Sequence, residues 1–228
     1  MIQNILFINI LNKLIQWDTN VSLAINGLHS EYWDTFMWLV SDKIVWVPLY
    51  LSILYIIFKD YNWKIILACL VTLSIILLVT DGVCAHIIRP IVGRMRPSNL
   101  DNPISGMVHI VDGHRGGRFG FPSAHSSNTW GLTFFVCYLF RRHWLSIFMA
   151  AWACLVCYSR MYLGVHYLGD TIAGMLLAFI SSSVLYYVFM KVSGHKVKEK
   201  LKYPYLPICI GGTTIIIFFI LSFFIRID

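Results

Sequence analysis

The chain has 228 residues, 58% of them hydrophobic and 13% charged, with a formal net charge of +7 and a mean hydropathy of +0.70. A soluble domain is roughly 45–50% apolar and about 25% charged, so this composition excludes an ordinary soluble globular protein and indicates an integral membrane protein. The basic residues lie in short loops between apolar runs, which suits lipid headgroups and phosphate better than nucleic acid.

Residues 2–28 alternate apolar Ile2, Ile5, Leu6, Ile10, Leu14 and Trp17 with Asn4, Asn9, Asn12 and Lys13. That pattern predicts an N-terminal amphipathic helix lying at the membrane interface. The first apolar crossing runs from Trp33 to Phe58, with Ser41-Asp42-Lys43 interrupting its start. The second runs from Trp63 to Ile88, and a Gly-, Pro- and Asn-rich polar loop follows to Gly120. Further crossings are predicted at Phe121–Phe140, Leu145–Tyr158, His166–Met190 and Tyr205–Ile225. The fold class is therefore all-α, a polytopic membrane bundle of about six transmembrane helices plus the interfacial helix. It forms one domain over 1–228, with no internal repeat. The start of the chain lacks the basic beginning and small-residue cleavage site of a signal peptide.

Six cysteines fall inside apolar runs and read as small packing residues rather than disulfide partners. The Cys154-x-x-Cys157 pair lies within a predicted span and has no second pair to complete a metal site. Six crossings put both termini on one side. The basic turns at 59–64, 141–144 and 191–202 share a face, and their lysines and arginines place that face in the cytoplasm. The arginine-rich loop then faces outward.

Three polar patches fall on that outer face. The first, Arg89-Pro-Ile-Val-Gly-Arg-Met-Arg96-Pro97, ends the second crossing. The second, Phe121-Pro122-Ser123-Ala124-His125, opens the third. The last, Ser159 to Asp170, joins the fourth crossing to the fifth. Arg89, Arg96 and Arg160 offer permanently charged forks for phosphate oxygens. Pro122-Ser123-Ala124-His125 starts a helix, where free backbone N–H groups bind anions and proline suits the first turn. His166 opens the next helix with Asp170 one turn on, so a carboxylate can hold the imidazole by one nitrogen. Taken singly, each patch has a plainer reading as a headgroup anchor, a satisfied polar residue or a helix cap. Taken together they point to phosphoryl transfer through a histidine nucleophile without a metal.

The spacing of the three patches resembles the signature of the type 2 phosphatidic acid phosphatase superfamily of membrane lipid phosphatases, K-x6-RP, PSGH and SR-x5-H-x3-D. Here they read Arg89-x6-Arg96-Pro97, Pro122-Ser123-Ala124-His125 and Ser159-Arg160-x5-His166-x3-Asp170. Arg89 stands in place of lysine and Ala124 in place of glycine. The resemblance implies that His166 attacks phosphorus, Asp170 orients it, and His125 serves the leaving oxygen and then water. It also implies that Arg89, Arg96, Ser123, the Ala124 backbone and Arg160 hold the phosphoryl oxygens, with no cofactor or metal. The expected partners are a membrane lipid phosphate or diphosphate and the bilayer itself. No nucleic acid and no obligate protein partner are indicated. The best substrate match is undecaprenyl diphosphate, with lipid A, phosphatidylglycerol phosphate and phosphatidate as alternatives.

Vanadate-dependent haloperoxidases have a similar pocket pattern but are soluble. A non-catalytic lipid-binding or transport protein would not need both His125 and His166. Asp81 is a possible partner for Arg89, Asn128 a possible site hydrogen-bonder or interhelical tie, and His86 lies near the same mouth. His109, His114, Arg115 and Arg118 are read as residues of a solvated loop, with contact to a headgroup or diphosphate as the alternative.

Overall fold

The structure is a computed structural model that describes the backbone of residues 2–227 and the side chains of residues 6–227; the expected interfacial contributions of Ile2, Asn4 and Ile5 side chains lie outside the described residues. Among the described residues every regular element is helical: α1 (Ile2–Asn26), α2 (Glu31–Ser41), α3 (Val47–Asp60), α4 (Trp63–Gly82), α5 (Arg89–Val92), α6 (Ala124–Phe140), α7 (His143–Tyr162), α8 (Leu168–Ser193) and α9 (Leu206–Leu221). A π-helical turn over Val83–Ile88 joins α4 to α5, making one helical run of 30 residues.

The spans are those of a membrane protein. The 63–92 run, α7 and α8 are long and apolar enough to cross. Large apolar side chains face outward as well as inward: Leu67, Val71, Ile75 and Leu78 form an exposed stripe on α4, and Leu176, Phe179, Ile180 and Val184 another on α8. Lipid is the solvent that makes such exposure stable. The first expected crossing is not one straight helix. It breaks after Ser41, and the two halves meet at 68°. Asp42 carries its carboxylate to the Ile44 amide at 2.9 Å, so the polar Ser41-Asp42-Lys43 step turns the chain instead of entering lipid. The α6 and α9 helices have 17 and 16 residues, about 25 Å each at the usual helical rise. They are shorter than the other spans.

At the centre α6 packs against α8 through small residues. A Cβ on Gly174 would stand 2.5 Å from the Ser123 carbonyl oxygen, and one on Gly131 would stand 2.8 Å from Ile76. The Ser126 hydroxyl donates to the Thr171 carbonyl at 2.6 Å, and Ser182 to the Gly131 carbonyl at 3.2 Å. Small side chains and hydroxyl-to-carbonyl bonds are how helices approach closely in lipid. The consequence is positional: the N-terminal turns of α6 and α8 lie side by side.

Candidate active site

The end of α8 that meets α6 carries the third patch, but not as the sequence spacing implied. His166 lies outside the helix, which begins at Leu168 with Tyr167 as its N-cap. Asp170 is the third helical residue, and its Oδ2 accepts the Tyr167 amide at 3.0 Å. The same oxygen lies 3.3 Å from His166 Nδ1. An i,i+4 pair thus meets across a helix cap, with His166 in the loop and only the carboxylate in the helix. His166 is 1% exposed and Asp170 0%.

The patches are stitched together by backbone. Arg96 N donates to the Arg118 carbonyl at 3.1 Å and Gly120 N to the Arg94 carbonyl at 2.9 Å, around the antiparallel bridge Met95–Phe119. This fixes the first patch beside the approach to the second. Ser123 N then donates to the Asp170 carbonyl at 2.9 Å, fixing the second beside the third. Ser123 is the N-cap of α6, accepting the Ser126 amide through its hydroxyl at 3.4 Å. Pro122 therefore stands before the cap and not inside the first turn. Ala124 and His125 are the first two helical residues, where backbone N–H groups lack intrahelical acceptors.

The arginines converge on the same place. Arg96 Nη1 donates to His166 Nε2 and to the Val165 carbonyl, both at 3.2 Å, and its Nε donates to the Phe119 carbonyl at 3.2 Å. Arg89 Nε and Nη2 both donate to the Pro122 carbonyl, at 3.3 and 3.2 Å. Arg160 is buried, donates to Ser41 Oγ, and has an Nε without a hydrogen-bond partner. Among the described residues none of these three arginines has a carboxylate within salt-bridge reach. Burial, with Arg89 nearby, lowers the Arg96 pKa to about 10. Uncompensated buried positive charge is costly, and a phosphoryl group is the kind of ligand that relieves it.

The hydrogen bonds set the tautomer of His166. Guanidinium can only donate, so Nε2 accepts from Arg96 and keeps its lone pair, and Nδ1–H donates to Asp170. Burial, followed by the charges of Arg96, Arg160 and Arg89, drives the His166 pKa well below its ordinary value. With Nε2 accepting from Arg96 and Nδ1–H donating to Asp170, the ring is in its neutral form.

Beside the site, a cavity of about 720 Å³ reaches from His125 between α3, α4 and α6. Lys43, Asp81, His86 and Asn128 are among its polar lining, and Ile53, Leu73 and Leu77 among its apolar lining.

Other expectations resolve differently. Asp81 does not reach Arg89; its Oδ1 lies 3.4 Å from Asn128 Nδ2, while Asn128 Oδ1 accepts from Thr80 at 2.6 Å. Asn128 is thus an α6–α4 tie. His86 Nδ1 lies 3.3 Å from its own-turn Gly82 carbonyl. His109 pairs with Asp34 at 2.8 Å, His114 packs edge-on against Trp38, Arg115 donates to the Ser98 carbonyl at 2.8 Å, and Arg118 faces Asp101 at 3.8 Å in the open.

Two residues near the pair went unread in the sequence. Arg94 Nη1 bonds Asp170 Oδ1 at 3.1 Å, though it sits at an unspecified position inside the first patch. Gly120 lies so close that a Cβ there would stand 2.9 Å from Asp170 Oδ2 and 3.4 Å from His166 Nδ1. Its place just ahead of Phe121-Pro122-Ser123 was the available signal.

The PAP2 superfamily model matches residues 63–193, which contain all three patches. A Bacteroides thetaiotaomicron protein named lipid A 4'-phosphatase is 46% identical over 176 residues, covering 77% of this chain and 78% of its own. A Sulfolobus acidocaldarius undecaprenyl-diphosphatase is 30% identical, covering 77% of this chain and 75% of its own. The crystal structure of a PAP2-type phosphatidylglycerolphosphate phosphatase from Bacillus subtilis superimposes with a TM-score of 0.59 at 22% identity, over 79% of this chain and 88% of that one. The chain belongs to the PAP2 superfamily and is a membrane lipid phosphatase.

Proposed function

We propose that this phosphatase removes a phosphate monoester from a lipid A-type saccharolipid at the outer face of the inner membrane, by way of a phosphohistidine on His166. The observation that carries the mechanism is the His166 ring itself, held through Nδ1 by Asp170 and with its Nε2 lone pair facing Arg96. His166 Nε2 attacks phosphorus and the bond to the lipid oxygen breaks, while His125, protonated once the phosphate dianion is bound, gives its proton to that oxygen and is left neutral. His125 then takes a proton from water, the hydroxide attacks phosphorus, the P–N bond breaks, and inorganic phosphate leaves with His166 restored. Arg96, which caps Nε2, is drawn onto the incoming phosphoryl oxygens together with Arg89 and Arg160. Ser123 and the Ala124 N–H at the start of α6 supply further donors.

The cavity between α3 and α4 supports a lipid substrate, since its apolar wall leads away from His125 at membrane depth. The sequence reading favours undecaprenyl diphosphate. The 46% relative shifts the choice to a lipid A phosphate, because the 30% undecaprenyl-diphosphatase is much more distant. Arginine and helix N–H groups provide the charge stabilisation, so activity is expected to survive EDTA.

The test is phosphate release by purified protein in detergent with EDTA present, across lipid A, undecaprenyl diphosphate, phosphatidylglycerol phosphate and phosphatidate. Lipid A is expected to have the highest kcat/KM. Faster turnover of undecaprenyl diphosphate would reverse the substrate choice, and loss of activity in EDTA with rescue by Mg²⁺ would sink the mechanism. A reporter fused at Lys198 is expected to read cytoplasmic, and a periplasmic signal would invert the orientation.

A further inference from the structure

The helix α1 precedes the residues 63–193 matched by the family model, yet three of its polar side chains are buried. Asp18, Ser22 and Asn26 are spaced by four and share one helix face. They are 9%, 3% and 2% exposed, whereas Leu11, Leu14 and Ile15 on the same helix are largely exposed. Buried polar groups cost free energy unless bonded. All three are bonded, and each has one bond to the segment from the end of α7 to the start of α8, which carries His166; Asn26 also bonds the His109 backbone in both directions.

Asp18 Oδ1 accepts the Gly169 amide at 2.8 Å, and Ser22 Oγ accepts the Leu168 amide at 3.0 Å. These are the first two amides of α8, which have no acceptor within their own helix. The N-cap residue Tyr167 supplies no side-chain oxygen to them, so α1 caps α8 from outside. Asn26 Nδ2 donates to the Tyr162 carbonyl at 2.7 Å, at the other end of the same loop. Two glycines make the approach possible. A Cβ on Gly169 would stand 2.8 Å from Asp18 Oδ2, and one on Gly164 would stand 3.3 Å from Asn26 Nδ2.

The second oxygen of Asp18 does more. Asp18 Oδ2 pairs with Arg94 Nη2 at 2.7 Å, and Arg94 Nη1 pairs with Asp170 Oδ1 at 3.1 Å. The Arg94 guanidinium lies over the Tyr167 ring, 3.8 Å from its centre. Asp170 uses its other oxygen on His166. The chain of contacts Asp18–Arg94–Asp170–His166 is unbroken, and Arg94 divides its charge between two carboxylates.

We propose that Asp18 is a positioning residue for His166, acting through Arg94 and through the first turn of α8, so that the N-terminal helix is part of the catalytic unit. This rests on His166 being the nucleophile. Without Asp18, the whole Arg94 charge falls on Asp170 and draws that carboxylate from the imidazole, while the loop from Tyr162 to Gly169 loses a tie. Substrate contacts are untouched.

The experiment is steady-state phosphate release from lipid A by Asp18→Ala, Asp18→Asn, Arg94→Ala and the Asp18→Ala/Arg94→Ala double variant of the full chain. Asp18→Ala is expected to lower kcat by about 10- to 100-fold, the usual size of an outer partner's effect on an oriented histidine, with KM within about twofold. Asp18→Asn keeps an oxygen for the Gly169 amide but no charge, and is expected to recover part of the loss. The double variant is expected to be no slower than the slower single variant, because both act along one path. A wild-type kcat in Asp18→Ala, a loss confined to KM, or losses that multiply in the double variant would each overturn the proposal. If Asp18→Ala is not recovered folded, Asp18→Asn carries the same test through its kcat. His166→Ala runs alongside, and turnover in that variant would remove the nucleophile assignment whatever Asp18 does.

Discussion

Among the described residues there are two histidine–aspartate pairs, and by distance the one outside the three patches is the better. His109 Nε2 lies 2.8 Å from Asp34 Oδ2, and His166 Nδ1 lies 3.3 Å from Asp170 Oδ2. The pairs differ in what surrounds them. His109 is 30% exposed in its side chain, stacks on His29 at 3.9 Å, and shares Asp34 with the Tyr162 hydroxyl at 2.6 Å. His166 is sealed in, with its second nitrogen facing Arg96. A carboxylate orients an imidazole equally well in both. Only the second pair has, at the free nitrogen, positive charge with no carboxylate to balance it. The lesson is that the arginines, more than the pair, single out the proposed reaction centre.

Exchanging each histidine breaks the comparison most directly. His166→Ala is expected to reduce phosphate release by at least about four orders of magnitude, the scale seen when a nucleophile is removed from a preorganised site. His109→Ala is expected to stay within about threefold of wild type, as a substitution away from the reacting atoms should. Both are read in one detergent assay on lipid A. Comparable losses in the two variants would mean that the surroundings do not separate the pairs.

The arginines sharpen the same contrast. Arg160→Ala is expected to cost about 10²- to 10³-fold in kcat, the range for losing one preorganised donor to a developing charge. Arg118 faces Asp101 at 3.8 Å, and both side chains are more than half exposed. Such surface pairs contribute little, so Arg118→Ala is expected to be near neutral in the same assay. Gly120→Ala then moves the pair without removing any of it. Its new methyl group would press on Asp170 Oδ2 and His166 Nδ1, and a misplacement of that order costs up to about 100-fold. A Gly120→Ala enzyme with wild-type kcat would show that the pair tolerates displacement.

The three patches were legible because each is a short run whose chemistry is local. Arginine forks, a Ser123 cap and a His–Asp spacing of four can be read without knowing the fold. The same locality misled at His166. A spacing of four fits a continuous helix, and it fits equally a loop residue facing the third position of the next helix. Only tertiary packing chooses, and here Asp170 Oδ2 also holds the Tyr167 amide, which ends the helix after His166. The kink in the first crossing was half visible in Ser41-Asp42-Lys43, whose charges resist lipid. Arg94 and Asp18 were invisible for a different reason. They lie 76 residues apart, and nothing in either neighbourhood names the other. The polar stripe Asp18, Ser22 and Asn26 was present as a four-residue rhythm on one face of α1, a sign of helix packing more than of lipid contact.

Among the substitutions within the three patches, the smallest expected effect belongs to Arg89→Lys. Arg89 differs from the lysine of the family pattern, and it spends two donors on one acceptor, the Pro122 carbonyl. Lysine keeps the charge but not the planar fork. Losing one hydrogen bond of this kind is worth about 0.5–1.5 kcal/mol, or roughly a twofold to tenfold change in kcat/KM. Arg89→Ala removes the charge as well, and is expected to fall toward the losses of Arg160→Ala. The gap between the two variants measures what Arg89 does. A wide gap means that its charge on the phosphoryl group matters most, as it would in an arginine-defined centre. If Lys and Ala lose equally, the bond to Pro122 dominates, and Arg89 acts by holding the start of α6 in place for His125.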